Sequence, residues 1–427
     1  MVFKIAFLVA FPLALFSQGK YANITIDIED GRGYAPCEPS ISIIQNNPAH
    51  VVAGAILDKV YFSTDSGKSW REQILKSKFG VFGDPCVITG PGAEVYYFHL
   101  SDPAGKGWSD PGLLDRIVCQ RSDDYGKTWT EGSSIGFNGE RDQDKEWAIA
   151  DPQSGNVYVT WTEFMKYGSR QERDSSFIMF AASNRKALKW KKTQRINQYA
   201  GNCVDSDQTV EGAVPAVGPK GEIYVSWAFD EKIWFDRSLN KGKTWMKKDG
   251  VVADIPGGWD FDIPGIGRCN GMPVTCCDLS NGPNRGTIYV NWSDQRNGPG
   301  DTDIWISKST DGGENWSAPL RVNDDAPGKQ QFFTWMDIDD KTGYIYVVFY
   351  DRRNHPDLNT DVYLAVSKDG GNTFDNILIS REPFEPTDRV FFGDYNNISV
   401  YDGMVRPIWT HYDGQKLSIK TAIIRKP

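Results

Sequence analysis

The stretch Ser309-Thr-Asp311-Gly-Gly313-Glu-Asn315-Trp316 is one of six related segments that decide the fold of this chain. In each, a serine is followed seven residues later by an aromatic residue. A short Asp or Asn side chain can bond the backbone N–H groups of its own turn, Gly supplies a positive φ, and the aromatic residue caps the hairpin. The other complete copies are Ser63–Trp70, Ser122–Trp129, Ser238–Trp245 and Ser367–Phe374. A sixth, Ser183–Trp190, has Arg185 and Ala187 in place of Asp and Gly. The chain is therefore a repeat protein.

The pattern S-x-D-x-G-x-T-W resembles the Asp-box, or BNR repeat, of sialidases and related β-propellers. The resemblance implies an all-β propeller in which each box lies on the hairpin between the third and fourth strands of a blade. That hairpin is on the face opposite the active site of the family, so the boxes are expected to be structural.

Composition agrees with many short strands joined by tight turns, since the 427 residues include 15 Trp, 18 Tyr, 22 Phe and 42 Gly. Residues 1–19 are typical of a secretory signal peptide, with Lys4 ahead of a short apolar run. That run is too short to span a bilayer comfortably. We predict one propeller domain over residues 20–427, secreted to the extracellular or periplasmic space, monomeric and without a membrane span.

The net charge of −9 argues against nucleic acid or an acidic membrane surface as a partner. An acidic secreted protein of this kind more naturally meets neutral sugars, peptides or a divalent cation, and the resemblance to sialidases implies a glycan. The seven cysteines are an odd number, and Cys203 and Cys269 precede the inner strands of neighbouring units. We expect any disulfide to join these two.

Seven segments have the pattern of an innermost blade strand. They are Pro39–Ile44, Asp84–Thr89, Lys145–Ala150, Gly212–Val217, Gly271–Cys276, Phe333–Ile338 and Asp394–Val400. The seventh unit ends one strand short, whereas Ile24–Ile28 is a spare strand with strict alternation. The sequence predicts seven blades of four antiparallel strands, with the N-terminal strand closing the last blade. Six blades is the alternative if the C-terminal segment packs elsewhere.

Candidate chemistry lies where the inner strands begin, because those loops and the loops between second and third strands share the face around the channel mouth. Carboxylates, a tyrosine, an arginine and an asparagine stand there. They are Glu38, Asp84, Asp142, Asp144, Glu146, Glu211, Arg268, Asn270, Asp394 and Tyr395. The resemblance implies that Tyr395 is a nucleophile activated by Glu211. Asp394 and Glu146 are further catalytic candidates, and Arg268 and Asn270 are candidates for substrate binding.

Two second-to-third loops are copies of each other. Asp294-Gln-Arg296-Asn297 matches Asp351-Arg352-Arg353-Asn354. Either the arginines pair with neighbouring carboxylates, or Arg296, Arg352 and Arg353 offer forked donors to an anionic ligand.

Two departures from the sialidase pattern stand out. The Arg-Ile-Pro signature is absent near Cys37, and Ser226–Asp230 lacks the expected mid-propeller arginine. His99 and His411 follow second strands on the same face, where packing roles compete with acid/base or metal roles. No cofactor is predicted, although the run from Asp142 to Glu146 could hold a structural calcium ion through oxygen ligands.

Three functions remain open. The first is a glycoside hydrolase acting on complex or acidic glycans. The second is a catalytically silent propeller that binds a glycan or a protein, and the third is a polysaccharide lyase.

Overall fold

The computed structural model describes residues 20–29 and 36–427, which form seven four-stranded antiparallel sheets. The first strands of successive sheets contact one another around a ring, so the sheets are the blades of a propeller. The predicted fold class, blade number and closing strand are confirmed. The predicted signal peptide lies outside the described residues.

The strand bounds follow the chain. Strand β1 (Ala22–Ile28) precedes blade 1, which contains β2 (Ser40–Ile43), β3 (Val51–Ala55), β4 (Lys59–Ser63) and β5 (Arg71–Ile74). Blade 2 contains β6 (Cys86–Thr89), β7 (Val95–Leu100), β8 (Ile117–Ser122) and β9 (Ser133–Ile135). Blade 3 contains β10 (Asp142–Ala150), β11 (Val157–Phe164), β12 (Ser176–Ser183) and β13 (Gln194–Arg195). Blade 4 contains β14 (Glu211–Val217), β15 (Ile223–Phe229), β16 (Lys232–Ser238) and β17 (Gly250–Asp254).

The remaining blades complete the ring. Blade 5 contains β18 (Val274–Cys277), β19 (Ile288–Asp294), β20 (Asp303–Ser309) and β21 (Leu320–Arg321). Blade 6 contains β22 (Gln331–Ile338), β23 (Ile345–Asp351), β24 (Asp361–Ser367) and β25 (Asp375–Leu378). Blade 7 contains β26 (Asn397–Tyr401), β27 (Met404–Tyr412), β28 (Leu417–Arg425) and β1. Within the described chain the one helical segment is a 3₁₀ turn at Gly107–Ser109, and no helix there has the length and apolar character needed to cross a membrane.

The second strands are buried on both faces because neighbouring blades cover them. Strand β7 reads Val-Tyr-Tyr-Phe-His-Leu, and all of these residues are buried. Four other second strands each carry a fully buried tryptophan, namely Trp161, Trp227, Trp292 and Trp409. Continuous apolar strands of this kind form the core between the blades.

The closing strand β1 binds both of its neighbours. It pairs antiparallel with β28, and Asn23 Nδ2 donates to the Ile379 carbonyl of blade 6 at 2.9 Å. On the other side, Asp27 accepts hydrogen bonds from Lys59 Nζ and the Tyr61 hydroxyl of blade 1, both at 2.6 Å. Closure thus depends on side-chain contacts as well as on the sheet ladder.

The repeated hairpins have the geometry that their composition indicates. The Ser309 hydroxyl donates to Asp311 at 2.8 Å, and the backbone N–H of Asn315 donates to the same carboxylate at 3.0 Å. Hydrogen bonds donated to Asp311 lower the pKa of its carboxyl to about 2; the strongest effect comes from the side chain of Asn315, followed by its backbone N–H and the Ser309 hydroxyl. Trp316 packs edge-on against Phe235 of the preceding blade, with ring centroids 5.1 Å apart. The hairpin of blade 5 therefore packs against blade 4 and stabilises the contact between these two blades.

The expected disulfide between Cys203 and Cys269 is wrong. Cys203 and Cys269 are both free cysteines, and they are buried in different surroundings. Cys203 lies against the backbone of Met165 and Lys166, whereas Cys269 lies near Arg352. Cys203 and Cys269 precede the inner strands of neighbouring blades, but their sulfur atoms are not bonded to each other.

Candidate functional site

The face on which the inner strands begin is called here the upper face. Five blades reach their inner strand through a residue with positive φ, two positions before the regular ladder starts. These residues are Glu38 (52°), Asp84 (49°), Lys145 (54°), Gly212 (72°) and Phe333 (49°). Four of the five carry side chains, for which this region of φ is disfavoured. The conformation recurs because each blade turns from its loop into the central ring in the same way.

The turns and adjoining loops of the upper face bring together seven carboxyl groups and two cations, called here the central cluster. Its members are Glu38, Asp84, Asp144, Lys145, Glu146, Asp205, Glu211, Arg268 and Asp394. Lys145 binds Asp394 at very short range and lies 3.8 Å from Asp84. Arg268 bridges Asp205 and Asp394, with N···O distances of 3.1 Å to each. The Asp394 carboxylate is therefore paired with two cations, Lys145 and Arg268.

The position of Asp394 is fixed by its backbone as well. Its N–H donates to Glu38 Oε1 at 3.0 Å, and its carbonyl accepts from Asn270 Nδ2 at 2.9 Å. The preceding residue, Gly393, has φ +89°, and a Cβ there would lie 2.7 Å from Glu38 Cγ. Only glycine fits this close approach of the last blade to the first.

The carboxyl groups of the central cluster differ in protonation. Burial opposes ionisation of Asp394, but Arg268 and Lys145 hold its pKa below the ordinary value. Burial, followed by the charge of Asp205, raises the pKa of Glu211 well above its ordinary value. Burial, followed by the charge of Asp84, does the same to the pKa of Glu38, Asp144 and Glu146. The cluster therefore holds one carboxylate that is stabilised by two cations, Asp394, and four carboxyl groups whose burial opposes ionisation.

Glu211 and Glu146 are the least satisfied of these groups. Both side chains are buried, and no oxygen of either carboxyl has a hydrogen-bond partner among the described residues. A buried carboxyl without partners is destabilising unless something else occupies the space beside it. Such groups occur preferentially at functional sites.

Tyr395 lies between two tryptophans, with ring centroids 5.0 Å from Trp147 and 6.2 Å from Trp335. Burial, then the nearby charge of Glu38, raises the pKa of its phenol well above the ordinary value. The carboxyls that act most strongly on it are Glu38, Asp84 and Glu146. Those that act most strongly on Glu211 are Asp205 and Asp144. The Tyr395 hydroxyl has no hydrogen-bond partner among the described residues, so it does not contact the general base that a tyrosine nucleophile requires.

The other predicted arginines lie in the loops of blades 5 and 6 and bind their own neighbours. Arg296 Nε donates to Asp294 at 2.9 Å, and Arg353 Nε donates to Asp351 at 2.7 Å. Each guanidinium stacks on an aromatic ring of the third strand, at 4.3 Å in both blades. Arg352 donates to Thr360 at 3.0 Å and to the Pro264 carbonyl at 2.8 Å. The repeated loop motif therefore has the same structural role in both blades, in which its arginine binds an aspartate of the same loop.

His99 and the acidic run also have structural partners, whereas neither ring nitrogen of His411 has a hydrogen-bond partner among the described residues. His99 bonds the Leu100 carbonyl and Gln120, and burial lowers its pKa to about 4. Burial likewise lowers the pKa of His411 to about 4. Asp142 accepts the backbone N–H of Tyr167 at 2.7 Å. Among the described residues, no group of three or more His, Cys, Asp or Glu side chains is arranged to hold a metal ion.

Sequence reasoning did not single out Lys145, Asp205 or Tyr167. Lys145 stands inside the acidic run already noted, and its isolation among carboxylates is a usable signal. Asp205 lies in the loop before β14 and Tyr167 in the loop after β11, where no periodic pattern marks them.

Two cavities lie along the propeller axis. The larger, of about 230 Å³, runs between the inner strands of all seven blades and is lined by both polar and apolar side chains. The smaller, of about 30 Å³, is lined by Lys145, Asn270, Asp394 and Tyr395. Trp147 and Trp335 line both cavities, and their rings are 4.2 Å apart. The smaller cavity has room for about two water molecules.

The fold is shared with solved propellers of low sequence identity. The NanB sialidase of Streptococcus pneumoniae superposes with a TM-score of 0.53 at 11% identity, over 88% of this chain and 83% of the sialidase. A protein of unknown function from Dyadobacter fermentans gives a TM-score of 0.53 at 12% identity, over 96% and 98% of the two chains. A polysaccharide lyase, an ulvan lyase bound to GlcA(1-4)Rha3S, gives 0.51 at 12% identity, over 94% and 96%. No protein-family model matches the chain. At these identities the likeness shows the fold alone, a sialidase-like β-propeller.

Proposed function

We propose that the protein is a secreted glycan-acting propeller that hydrolyses glycosidic bonds at the central cluster. The observation that carries the proposal is the difference in the partners of two carboxyl groups there. Asp394 is paired with Lys145 and Arg268, while the buried carboxyl of Glu211 has no hydrogen-bond partner among the described residues. Secretion is inferred from the signal-peptide pattern of residues 1–19.

Glycoside hydrolysis needs this pair of groups. A carboxylic acid donates a proton to the leaving glycosidic oxygen, and a carboxylate stabilises the oxocarbenium-like transition state or attacks it. Glu211 supplies the proton because burial, followed by the charge of Asp205, raises its pKa well above the ordinary value and so favours the protonated form. Asp394 supplies the negative charge. Once the leaving group has departed, the Glu211 carboxylate accepts a proton from the attacking water and is restored to the acid. Glu146 is a second buried carboxyl group of raised pKa in the cluster.

This assignment moves the nucleophilic role from Tyr395 to Asp394. The resemblance to sialidases implies a tyrosine nucleophile, but the phenol of Tyr395 is buried with a raised pKa. We assign Tyr395 to the wall beside the reacting groups. That solved propellers with this fold include a sialidase and a polysaccharide lyase supports a glycan as the ligand.

A second candidate function is glycan binding without turnover. The observation that favours it is the size of the cavity at the central cluster, about 30 Å³. A sugar ring does not fit such a space, so catalysis requires the upper loops to open.

The test is a product screen of the purified protein against neutral and acidic oligosaccharides, read by mass spectrometry. We expect cleavage that falls by about 10²-fold or more in Glu211→Gln and Asp394→Asn, as general acid–base catalysis predicts. Asp337→Asn is the matched control, because Asp337 is also a buried carboxyl of raised pKa but lines the larger cavity.

Three outcomes would redirect the assignment. Binding without products in any reaction supports the second candidate. Unsaturated uronic-acid products, detected by their ultraviolet absorbance, indicate a lyase. Full activity in Asp394→Asn refutes the hydrolytic mechanism.

A further inference from the structure

An exposed tryptophan stands on the upper face at the tip of the loop between β7 and β8. The Trp108 side chain is 68% exposed, yet its loop is tightly organised. The Asp102 carboxylate accepts the backbone N–H groups of Lys106 at 3.1 Å and Gly107 at 2.9 Å. Asp110 accepts those of Ala104 and Gly112 on the other side of the tip. The loop therefore presents the indole in a fixed position without burying it.

Trp108 is part of an aromatic platform. Its ring stacks on Tyr167 with centroids 5.9 Å apart and an interplanar angle of 29°. Phe82 meets it edge-on at the same distance. Aromatic surfaces that remain exposed on an ordered loop are suited to ligand contact, since they lose little entropy when a ring is placed on them.

The platform continues into the central cluster. The Tyr167 hydroxyl donates to Asp205 Oδ2 at 2.7 Å, and Asp205 pairs with Arg268. Arg268 in turn pairs with Asp394. A sugar ring in contact with Trp108 and Tyr167 is thus connected to the proposed reacting group Asp394 through Asp205 and Arg268.

The charges of the central cluster select against an acidic ligand. Lys145 and Arg268 are the cations of the central cluster, and both already bind carboxylates. A uronic acid or a sialic acid placed here would face Asp84, Asp205 and Asp394 with no uncommitted cation in the cluster. Hydroxyl groups, in contrast, can donate hydrogen bonds to these oxygens.

We propose that Trp108 and Tyr167 form a stacking subsite for a pyranose ring of an uncharged glycan. The inference rests on the proposed function and narrows its substrate class, away from the acidic glycans that the sialidase resemblance implies. The apolar face of the sugar lies on the indole, and its hydroxyls point toward Asp205 and Arg268.

The experiment measures binding by calorimetry rather than turnover. The probes are neutral oligosaccharides built from glucose, mannose, xylose or N-acetylglucosamine, with oligogalacturonide and sialyllactose as acidic counterparts. We expect at least one neutral probe to bind, and Trp108→Ala to weaken it by about tenfold, equivalent to about 1.4 kcal/mol. Leu239→Ala is the control, because Leu239 is 67% exposed but lies on the repeated hairpin of blade 4.

Ionic strength gives an independent readout. Stacking of an uncharged sugar is insensitive to salt, whereas capture of an anion by Arg268 weakens as salt rises. The inference is overturned if no neutral probe binds, if acidic probes bind more tightly, or if Trp108→Ala behaves as Leu239→Ala does.

Failure of this inference can be told apart from failure of the proposed function. Cleavage that persists with unchanged affinity in Trp108→Ala removes the subsite and leaves hydrolysis standing. Trp108-dependent binding without any product removes hydrolysis and leaves the subsite standing.

Discussion

Replacing Lys145 by methionine tests whether the central cluster is held by its buried ion pair. Methionine keeps most of the volume and removes the charge. The Lys145 side chain is 8% exposed and its partner Asp394 is 2% exposed, so the pair has little access to water. Losing one partner of a buried pair costs about 3–5 kcal/mol, because the other charge stays buried without its counterion.

The lower end of that range applies here. Asp394 keeps Arg268 at 3.1 Å in the variant, so its charge is not fully uncompensated. Asp84 loses a cation at 3.8 Å, but it is less deeply buried. We expect the free energy of unfolding to fall by about 3 kcal/mol.

Urea unfolding followed by tryptophan fluorescence measures the loss. Lys166→Met is the matched control, because Lys166 pairs with Asp142 at 3.2 Å but is itself 66% exposed. Water screens an exposed ammonium group, so such a pair contributes about 0–1 kcal/mol. Loss of the Lys145 charge should also raise the pKa of Asp394 and move the acid limb of any pH–activity profile to higher pH. If Lys145→Met unfolds at the same urea concentration as Lys166→Met, the pair does not hold the cluster together.

Three further predictions concern closure, the hairpins and pH. Asp27→Ala should lower the free energy of unfolding by about 3 kcal/mol, since it leaves Lys59 and Tyr61 without their shared acceptor; Thr25→Ala, on the exposed side of the same strand, should not. Trp316→Ala should cost about 2 kcal/mol, less than for a fully buried tryptophan, because the ring is half-buried against Phe235; calorimetry should show unchanged ligand affinity, and a lost ligand site would contradict a purely structural hairpin. Because the folded-state pKa of Glu211 is raised, the native state binds the proton more tightly than the unfolded chain, and stability falls as pH rises above the ordinary value of 4.5. Glu211→Gln should therefore reduce the fall in melting temperature as the pH rises above 4.5. If the melting temperatures of the variant and the wild type depend on pH in the same way, the prediction is refuted.

The sequence was sufficient for the architecture because its signals are local. Seven similar inner-strand segments set the blade number, and the hairpin motif set the order of strands. Strict alternation in Ile24–Ile28 identified a strand that needed a partner, and the last unit lacked one. None of these inferences required knowing which side chains meet in space.

The site was predictable only where position along a blade determines position in space. Glu146, Glu211 and Asp394 stand where inner strands begin, and the structure brings them to one cluster. Arg353 shows the limit, because its loop motif is compatible with either a ligand contact or a neighbouring carboxylate. The guanidinium meets Asp351 two residues away, and that choice depends on side-chain rotamers that the sequence does not encode visibly.

The charges of the upper face are not required by the fold. Gly212 and Phe333 occupy the same left-handed position in blades 4 and 6 that Glu38, Asp84 and Lys145 occupy in blades 1, 2 and 3. A glycine would relieve the backbone strain at each of these positions, and an apolar side chain would avoid burying a charge. The chain keeps charged residues there and adds Glu211, whose carboxyl has no partner among the described residues. Stability alone does not account for that choice, whereas a ligand that uses the carboxyl groups does.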